Sequence, residues 1–448
     1  MSDTIAAIAT AHGVASISII RLSGPDAPNI ARAIAPKAVL TPRRAELRDL
    51  LDARGVLIDR GLVLYFQAPR SFTGEEVVEF QAHGGLVVAE QILESALHHG
   101  ARLAEPGEFS KRAFLNGKID LSEAEAIARL IEAKSVDAAR ILARQLKGEL
   151  GAFVEESREA LLRALAHSEV MIDYAEEELP EELLEGLTRQ LETLREQLER
   201  IVESSRRRRG LIEGFRVAIV GKPNVGKSSL LNALLSYERA IVSEIAGTTR
   251  DTIEEQVRIG SHIVRVIDTA GIRATEDRVE QIGVERSLSS LKEADIVIAL
   301  FDASRPWERE DDEILRRLEV VAEEGRELIV ALNKSDLPQS LDAAGVEKFS
   351  PIAISAKRHF SRLMEELERR LDAMATDDEL MLASARQIEA VEGCAREIEA
   401  AMEPLRRGEL ELFSYHIRSA AERISSITRP FESEQILDRM FGEFCLGK

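Results

Sequence analysis

Apolar and polar positions alternate in short runs through the first 118 residues, with Gly and Pro between the runs. Ser16-Ile17-Ser18-Ile19-Ile20-Arg21-Leu22 and Gly61-Leu62-Val63-Leu64-Tyr65-Phe66 predict strands, and Glu90 to His98 predicts a helix. This is an α+β pattern. From about Leu121 to Arg209, Gly and Pro become scarce. Apolar residues there recur at three- and four-residue spacing, as at Leu161, Leu162 and Leu165 and at Leu187, Leu191, Leu194 and Leu198. That period predicts long amphipathic helices. From about 213 to 374 strands and helices alternate, with strand candidates at Phe215–Val220, His262–Ile267, Asp295–Phe301, Glu327–Leu332 and Ser350–Ile354. Such alternation predicts a parallel sheet covered on both faces. The helical period returns from about 378 to 440. Neither helical stretch covers its apolar stripe alone, so the two are expected to pack together as one helical domain interrupted by an α/β insertion. The expected fold is multidomain, divided at 1–118, 119–212, 213–375 and 376–448.

Composition narrows the class. The 448 residues suit about three domains at ~150 residues each. Acidic side chains outnumber basic ones 79 to 59, giving a formal charge of −20, which argues against a protein that coats nucleic acid by charge alone but allows a local basic patch. One such run, Arg206-Arg207-Arg208-Arg209, precedes Gly210. It reads as a solvated helix end favoured by the helix dipole, with RNA contact as the alternative. Apolar runs such as Asp295–Phe301 are strand-sized and fall short of a bilayer span. Met1-Ser2-Asp3-Thr4 lacks a basic region followed by an apolar core, so no signal peptide and a cytoplasmic location are expected. Two cysteines, Cys394 and Cys445, are too few for a disulfide framework or a Cys-based zinc site.

The densest chemistry lies at Gly221-Lys222-Pro223-Asn224-Val225-Gly226-Lys227-Ser228, which fits G-x-x-x-x-G-K-[ST] between the strand Phe215–Val220 and an apolar helix from Ser229 to Leu235. Glycines let the backbone wrap phosphate oxygens, and successive N–H groups with the helix N-terminus supply positive potential. Lys227 is expected to reach the β- and γ-phosphates and Ser228 to ligate Mg²⁺. Asn333-Lys334-Ser335-Asp336 points to guanine. A carboxylate at Asp336 accepts from both N1–H and the exocyclic amine of guanine, and adenine offers neither donor there. Asn333 and Lys334 would brace the loop and flank the base, and Ser355-Ala356-Lys357 forms a second base-contacting loop. Asp268-Thr269-Ala270-Gly271 ends another strand: its Asp would hold Mg²⁺ through water and the Gly271 N–H would face the γ-phosphate. Gly247-Thr248-Thr249-Arg250-Asp251 supplies Thr249 as a second Mg²⁺ hydroxyl and switch residue. Motifs in this order resemble the translation-factor-like GTPases.

The site departs from the Ras-like pattern, in which a Gln after the D-T-A-G run orients water. Here Ile272 stands there, and no arginine finger is evident. A monovalent cation would supply the missing charge, ligated by the Asn224 amide and by carbonyls between Ser243 and Thr249; equally, Asn224 braces the loop. Glu280, twelve residues beyond Asp268, is placed to fix the water, although one more surface glutamate is the plainer reading.

Along nearly its whole length the chain resembles the MnmE (TrmE) family of tRNA modification GTPases, within the TrmE-Era-EngA-like group. The carrying segments are Asp3–Thr10, Ile20–Gly24, Ser71–Glu79, His83-Gly84-Gly85 and Pro106–Lys118. The nucleotide motifs above and the closing Cys445-Leu446-Gly447-Lys448 complete the set. The resemblance implies a tetrahydrofolate-binding N-terminal domain, a helical domain and an inserted GTPase domain. It implies a homodimer through the N-terminal domains, with folate (a formyl or methylene form) contacted by Arg21, Glu79, Lys118 and Lys448. Without it each of these would read as an ordinary surface charge. A carboxylate such as Glu79 suits the amidine-like face of a pterin, and Arg21 or a lysine suits a glutamyl tail. The resemblance also implies K⁺ held by Asn224, Ser243, Ile245 and Thr248, with Glu280 and Lys227 as catalytic residues. GTP contacts would come from Asn224, Val225, Gly226, Lys227, Ser228 and Ser229, from Ser243, Glu244, Ile245, Ala246, Gly247, Thr248 and Thr249, and from the later motifs. The implied reaction is GTP-gated modification of C5 of the wobble uridine of certain tRNAs, with a flavoprotein partner, MnmG (GidA), that carries the FAD. The two form a heterotetramer or larger, and no membrane is involved. Cys445 would act as acid or nucleophile in the carbon chemistry, or pack as a small buried hydrophobe. Where the family has a Gly-rich turn before the Arg21 strand, this chain has Ala15, Ser16 and Ser18, so a different local turn is expected. The competing functions are an Era- or Der-like ribosome-assembly GTPase and a nucleotide switch with negligible turnover.

Overall fold

A computed structural model describes residues 3–11, 13–173, 181–237, 255–267, 294–323, 326–375, 380–429, 440–442, 444 and 447. The chain divides into two compact units, one of Met1–Ile131, Arg144–Leu191 and Arg396–Lys448, the other of Glu132–Ala143 and Glu192–Ala395. Among the described residues no helix is long and apolar enough to cross a membrane.

In the first unit β1 (Ile5–Ile8), β2 (Ile17–Ser23), β3 (Glu46–Leu51), β4 (Leu57–Phe66), β5 (Val77–His83) and β6 (Arg102–Leu103) form one sheet in the order β3-β4-β5-β2-β1-β6. Its pairs are antiparallel except β1 with β6. Alternation sets the faces. Ile20, Leu22, Val63, Val78 and Phe80 point into a core closed by α1 (Ala27–Ile34) and α2 (Leu86–His98), through Ile30, Ile34, Ile92 and Ala96. The opposite face carries Ile17, Arg21, Leu62 and Glu79. After α3 (Glu108–Leu115) the chain continues through α4 (Leu121–Glu132), α5 (Val136–Leu146), whose residues to Ala143 belong to the second unit, α6 (Glu149–Asp173) and α7 (Glu181–Arg207), which belongs to the second unit from Glu192 on. Buried positions on α6 run Leu150, Val154, Ser157, Leu161, Ala164, Ser168, Met171, and the main stripe on α7 runs Leu187, Leu191, Leu194, Leu198, Ile201, Ser205, with Val202 and Ser204 buried beside it. Both stripes step by alternating fours and threes, the spacing of a helix packed along one face.

In the second unit a short helix α8 (Gly210–Glu213) leads into β7 (Phe215–Val220) and α9 (Lys227–Tyr237). Then follow β8 (Glu255–Ile259), β9 (His262–Ile267), β10 (Ile296–Asp302), α10 (Arg309–Glu323), β11 (Glu327–Asn333), β12 (Ile352–Ala353) and α11 (Ser361–Ala375). The sheet order is β12-β11-β10-β7-β9-β8, parallel except for the β8–β9 hairpin. α9 and α11 cover one face through Leu230, Leu234, Leu363 and Leu367, and α10 covers the other through Leu318 and Val321. All seven residues of β10 are buried, as a central strand with both faces covered requires. α12 (Ala385–Arg407) follows, in the second unit to Ala395 and in the first from Arg396, and α13 (Leu410–Ser425) lies in the first. In the first unit α13 packs along α6, where the Ser168 and Ser414 hydroxyls meet at 2.8 Å.

Four of the segments singled out above are tied by one ion network in the first unit. Arg112, on α3, donates to the Asp3 carboxylate at 2.7 Å, to Glu75 at 3.1 Å and to Glu108 at 3.0 Å. Arg102 joins Asp3 and Glu108, and Ser23 links Glu75 to Thr73. Arg112 is only 11% exposed, so removing it takes the cation from the partly buried Glu75 and leaves Asp3 and Glu108 with Arg102. Arg112→Ala is expected to lower the unfolding free energy of this unit by about 3 kcal/mol, measured by denaturant titration. The hydrogen bond from Arg102, with Arg112 behind it, holds the Asp3 carboxyl down to about 2 from 3.8. A folded pKa below the unfolded one contributes stability above pH 3.8 that is lost as pH falls toward 2. Acid titration of Asp3→Asn is expected to lack that share of the loss; an unchanged acid limb would contradict it.

Candidate functional site

A loop that offers its N–H groups to an anion must hide its carbonyl oxygens, and between β7 and α9 the structure shows where they go. Lys227 Nζ donates to Gly221 O at 2.7 Å and to Lys222 O at 2.8 Å. Lys334 Nζ donates to Asn224 O at 2.9 Å, and Asn333 Nδ2 to Val225 O at 2.7 Å. Four loop carbonyls are thus held by three side chains. Two left-handed residues make the turn: Asn224 at φ 62° and Gly226 at φ 104°. Asn is among the few side chains at ease there. Gly226 has a further reason, since a Cβ would overlap Asn333 Nδ2.

The Asn333 carboxamide also accepts the Ala356 N–H at 2.9 Å and is buried, so one side chain joins the phosphate loop to the second base loop. Lys334, at φ 63°, pairs with Asp302 at 2.6 Å at the end of β10. Burial pushes the Asp302 carboxyl up, but Lys334 and Ser304 together hold it below the usual range. Ser335 N–H donates to Ile354 O at 3.0 Å. The Ser355 hydroxyl holds the Asp336 carboxyl below the usual range, with Arg358 at 3.5 Å adding to the effect. Lys357 is exposed beside them. The structure therefore brings together Asn224 to Ser229, Asn333 to Asp336 and Ser355 to Lys357. Lys334 is held behind the loop by Asp302 and the Asn224 carbonyl.

Two pairings escaped the sequence reading. Asp302 had a signal, a carboxylate at the C-terminal end of a parallel strand. Lys222 had none. Its Nζ donates to Asp311 at 2.6 Å and to Glu308 at 2.8 Å. Burial would lower the Lys222 pKa, and these carboxylates more than reverse it.

In the first unit Arg21 and Glu79 stand opposite each other on β2 and β5, 2.8 Å apart. The Arg21 guanidinium lies 5.9 Å from the Phe72 ring and 5.7 Å from Phe109. The Lys118 stem lies beside Gly74, and Gly447 lies against the Ile8 carbonyl at the end of β1. Ala15 and Ser16 keep negative φ and pair with Gly84, so the small residues before β2 need no glycine-like backbone. Ser243, Glu244, Ile245, Ala246, Gly247, Thr248, Thr249, Asp268, Thr269, Ala270, Gly271, Glu280, Cys445 and Lys448 lie outside the described residues.

Residues 4–118 match the family model of the GTP-binding protein TrmE N-terminus, and residues 121–445 match that of the MnmE helical domain. The tRNA modification GTPase MnmE of Sulfurovum sp. (strain NBC37-1) is 62% identical over 100% of this chain and 99% of its own length. Those of a Nitratiruptor species and of Sulfurimonas denitrificans are 57% and 55% identical, with the same coverage. Among solved structures, Aquifex aeolicus Era bound to GDP.AlF4- is 28% identical over 41% of this chain and 66% of its own, with a TM-score of 0.26. On the matched models and the full-length relatives, the chain belongs to the family of the tRNA modification GTPase MnmE.

Proposed function

We propose that GTP hydrolysis by this enzyme gates installation of an aminomethyl-type group at C5 of the wobble uridine of certain tRNAs. It does so as a K⁺-dependent homodimer working in the cytoplasm with the flavoprotein MnmG. The chain is a GTP hydrolase of tRNA modification. The observation that carries the reading is the Asn333 carboxamide, which joins a phosphate loop to the Ser355–Lys357 loop and stands in the same segment as Asp336, the carboxylate that suits guanine. Residues 213–375 act as the GTPase domain, 119–212 and 376–448 as the helical domain, and 1–118 as the folate-binding and dimerisation domain.

Lys227 and the N–H groups at the start of α9 bind the phosphates, and Asp336 selects guanine. Ser228 and Thr249 hold Mg²⁺, for which hydroxyl oxygens are suitable donors, and the ion offsets phosphate charge when bound. For K⁺, the Asn224 side chain is exposed and has no hydrogen-bond partner among the described residues. The bracing alternative falls to its backbone carbonyl instead, which leaves the amide oxygen open to a cation. Ser243, Ile245 and Thr248 complete that set, and Glu280 orients the water. For folate, Glu79 receives the pterin edge, while Arg21, Lys118 and Lys448 suit its carboxylates; the contact between Arg21 and Glu79 holds both side chains on one patch of the sheet. The sheet face that holds them exposes Ile17 at 55%, Leu47 at 50% and Leu62 at 36%, an apolar surface that a second protomer would cover.

Two measurements check this. Steady-state GTP hydrolysis should be faster in KCl than in NaCl, Asn224→Ala should lose that response, and Glu280→Ala should lose turnover while still binding GTP. Equal rates in the two salts would remove the K⁺ assignment, and normal turnover in Glu280→Ala would remove that of the water. Cells lacking the protein should lose aminomethyl-type wobble uridines in tRNA nucleoside analysis; an intact nucleoside profile would refute the pathway.

A further inference from the structure

We propose that Asp311 is a positioning residue for the phosphate site and acts through Lys222. Lys222 is the second residue of the phosphate loop, yet its side chain runs into the protein and is only 8% exposed. Its ammonium meets Asp311 Oδ2 at 2.6 Å and Glu308 Oε2 at 2.8 Å. Asp311 is 1% exposed, and the same Oδ2 accepts the Glu308 N–H at 2.9 Å. That bond caps the start of α10, so the carboxylate is fixed by the helix before it meets the lysine.

An apolar contact would attach α10 to the loop without taking two charges out of water. A hydrogen-bonded ion pair adds direction. It holds the Lys222 side chain along one line and so fixes the orientation of its peptide. The Lys222 carbonyl accepts from Lys227 Nζ at 2.8 Å, and Gly221 O does so at 2.7 Å. Both acceptors help set where the Lys227 ammonium stands. Positioning thus runs from Asp311 to the Lys222 side chain, to the Lys222 carbonyl, to the cation that meets phosphate. The inference rests on reading Lys227 as the phosphate-binding lysine.

The test uses the full-length protein, steady-state GTP hydrolysis and heat unfolding without nucleotide, in Lys222→Met, Asp311→Asn, the double variant and Lys227→Ala. Lys222→Met should raise KM for GTP about tenfold, the scale of one charge-assisted hydrogen bond, with kcat within about twofold. It should also melt earlier, because Asp311 is left buried without its cation. The double variant removes that stranded charge, so it should regain heat stability while KM stays raised. A purely structural pair predicts that KM recovers along with stability, and that result would overturn the proposal. So would wild-type KM in Lys222→Met alongside a raised KM in Lys227→Ala. Wild-type KM in Lys227→Ala would overturn the phosphate-site reading itself, and the proposal with it.

Discussion

The Asn333 carboxamide is the contact on which the nucleotide site depends. Its nitrogen donates to Val225 O in one loop and its oxygen accepts from Ala356 N in another, and the side chain is 2% exposed. The amide lies 108 residues from Val225 and 23 from Ala356. In the proposed reading the phosphates rest on the first loop and the base beside the second, so one planar amide sets the span between them. An Asp there would put a carboxylate against a carbonyl, and an apolar residue would orphan a buried acceptor and a buried donor.

The same economy recurs around it. Four carbonyls of the phosphate loop, those of Gly221, Lys222, Asn224 and Val225, each have a side-chain donor behind them. Lys227, Lys334 and Asn333 supply those donors, and two of them also serve elsewhere: Lys334 closes on Asp302, and Asn333 on Ala356. The first unit is organised on a similar principle with charge in place of amides. Arg112 gathers carboxylates from the N-terminal strand region, from the loop before β5 and from its own helix, beside the strands that carry Arg21 and Glu79.

Much of the fold was legible because buried strands are continuous apolar runs and packed helices repeat every three and four residues. β7 and β9 begin and end where the apolar pattern does. α2 starts at Leu86 rather than Glu90, because Leu86 and Val87 lie exposed in its first turn and break the amphipathic period. β12 shrinks to Ile352–Ala353 because Ser350 turns left-handed, at φ 51°, at the end of the preceding 3₁₀ turn. The phosphate and base loops were legible as motifs, since local spacing carries their chemistry. The Lys222–Asp311 pair spans 89 residues and the Arg112–Asp3 contact 109, and no local pattern marks either one. Long-range ion pairs depend on which elements the topology brings together, which a linear pattern does not encode.

The most direct test of the account is the affinity of Asn333→Ala for GDP, titrated by calorimetry beside heat unfolding of the nucleotide-free protein. With two buried hydrogen bonds gone, the dissociation constant should rise at least about tenfold while the protein still unfolds cooperatively. Wild-type affinity in a folded Asn333→Ala protein would show that the two loops keep their spacing without this side chain, and the account would fail.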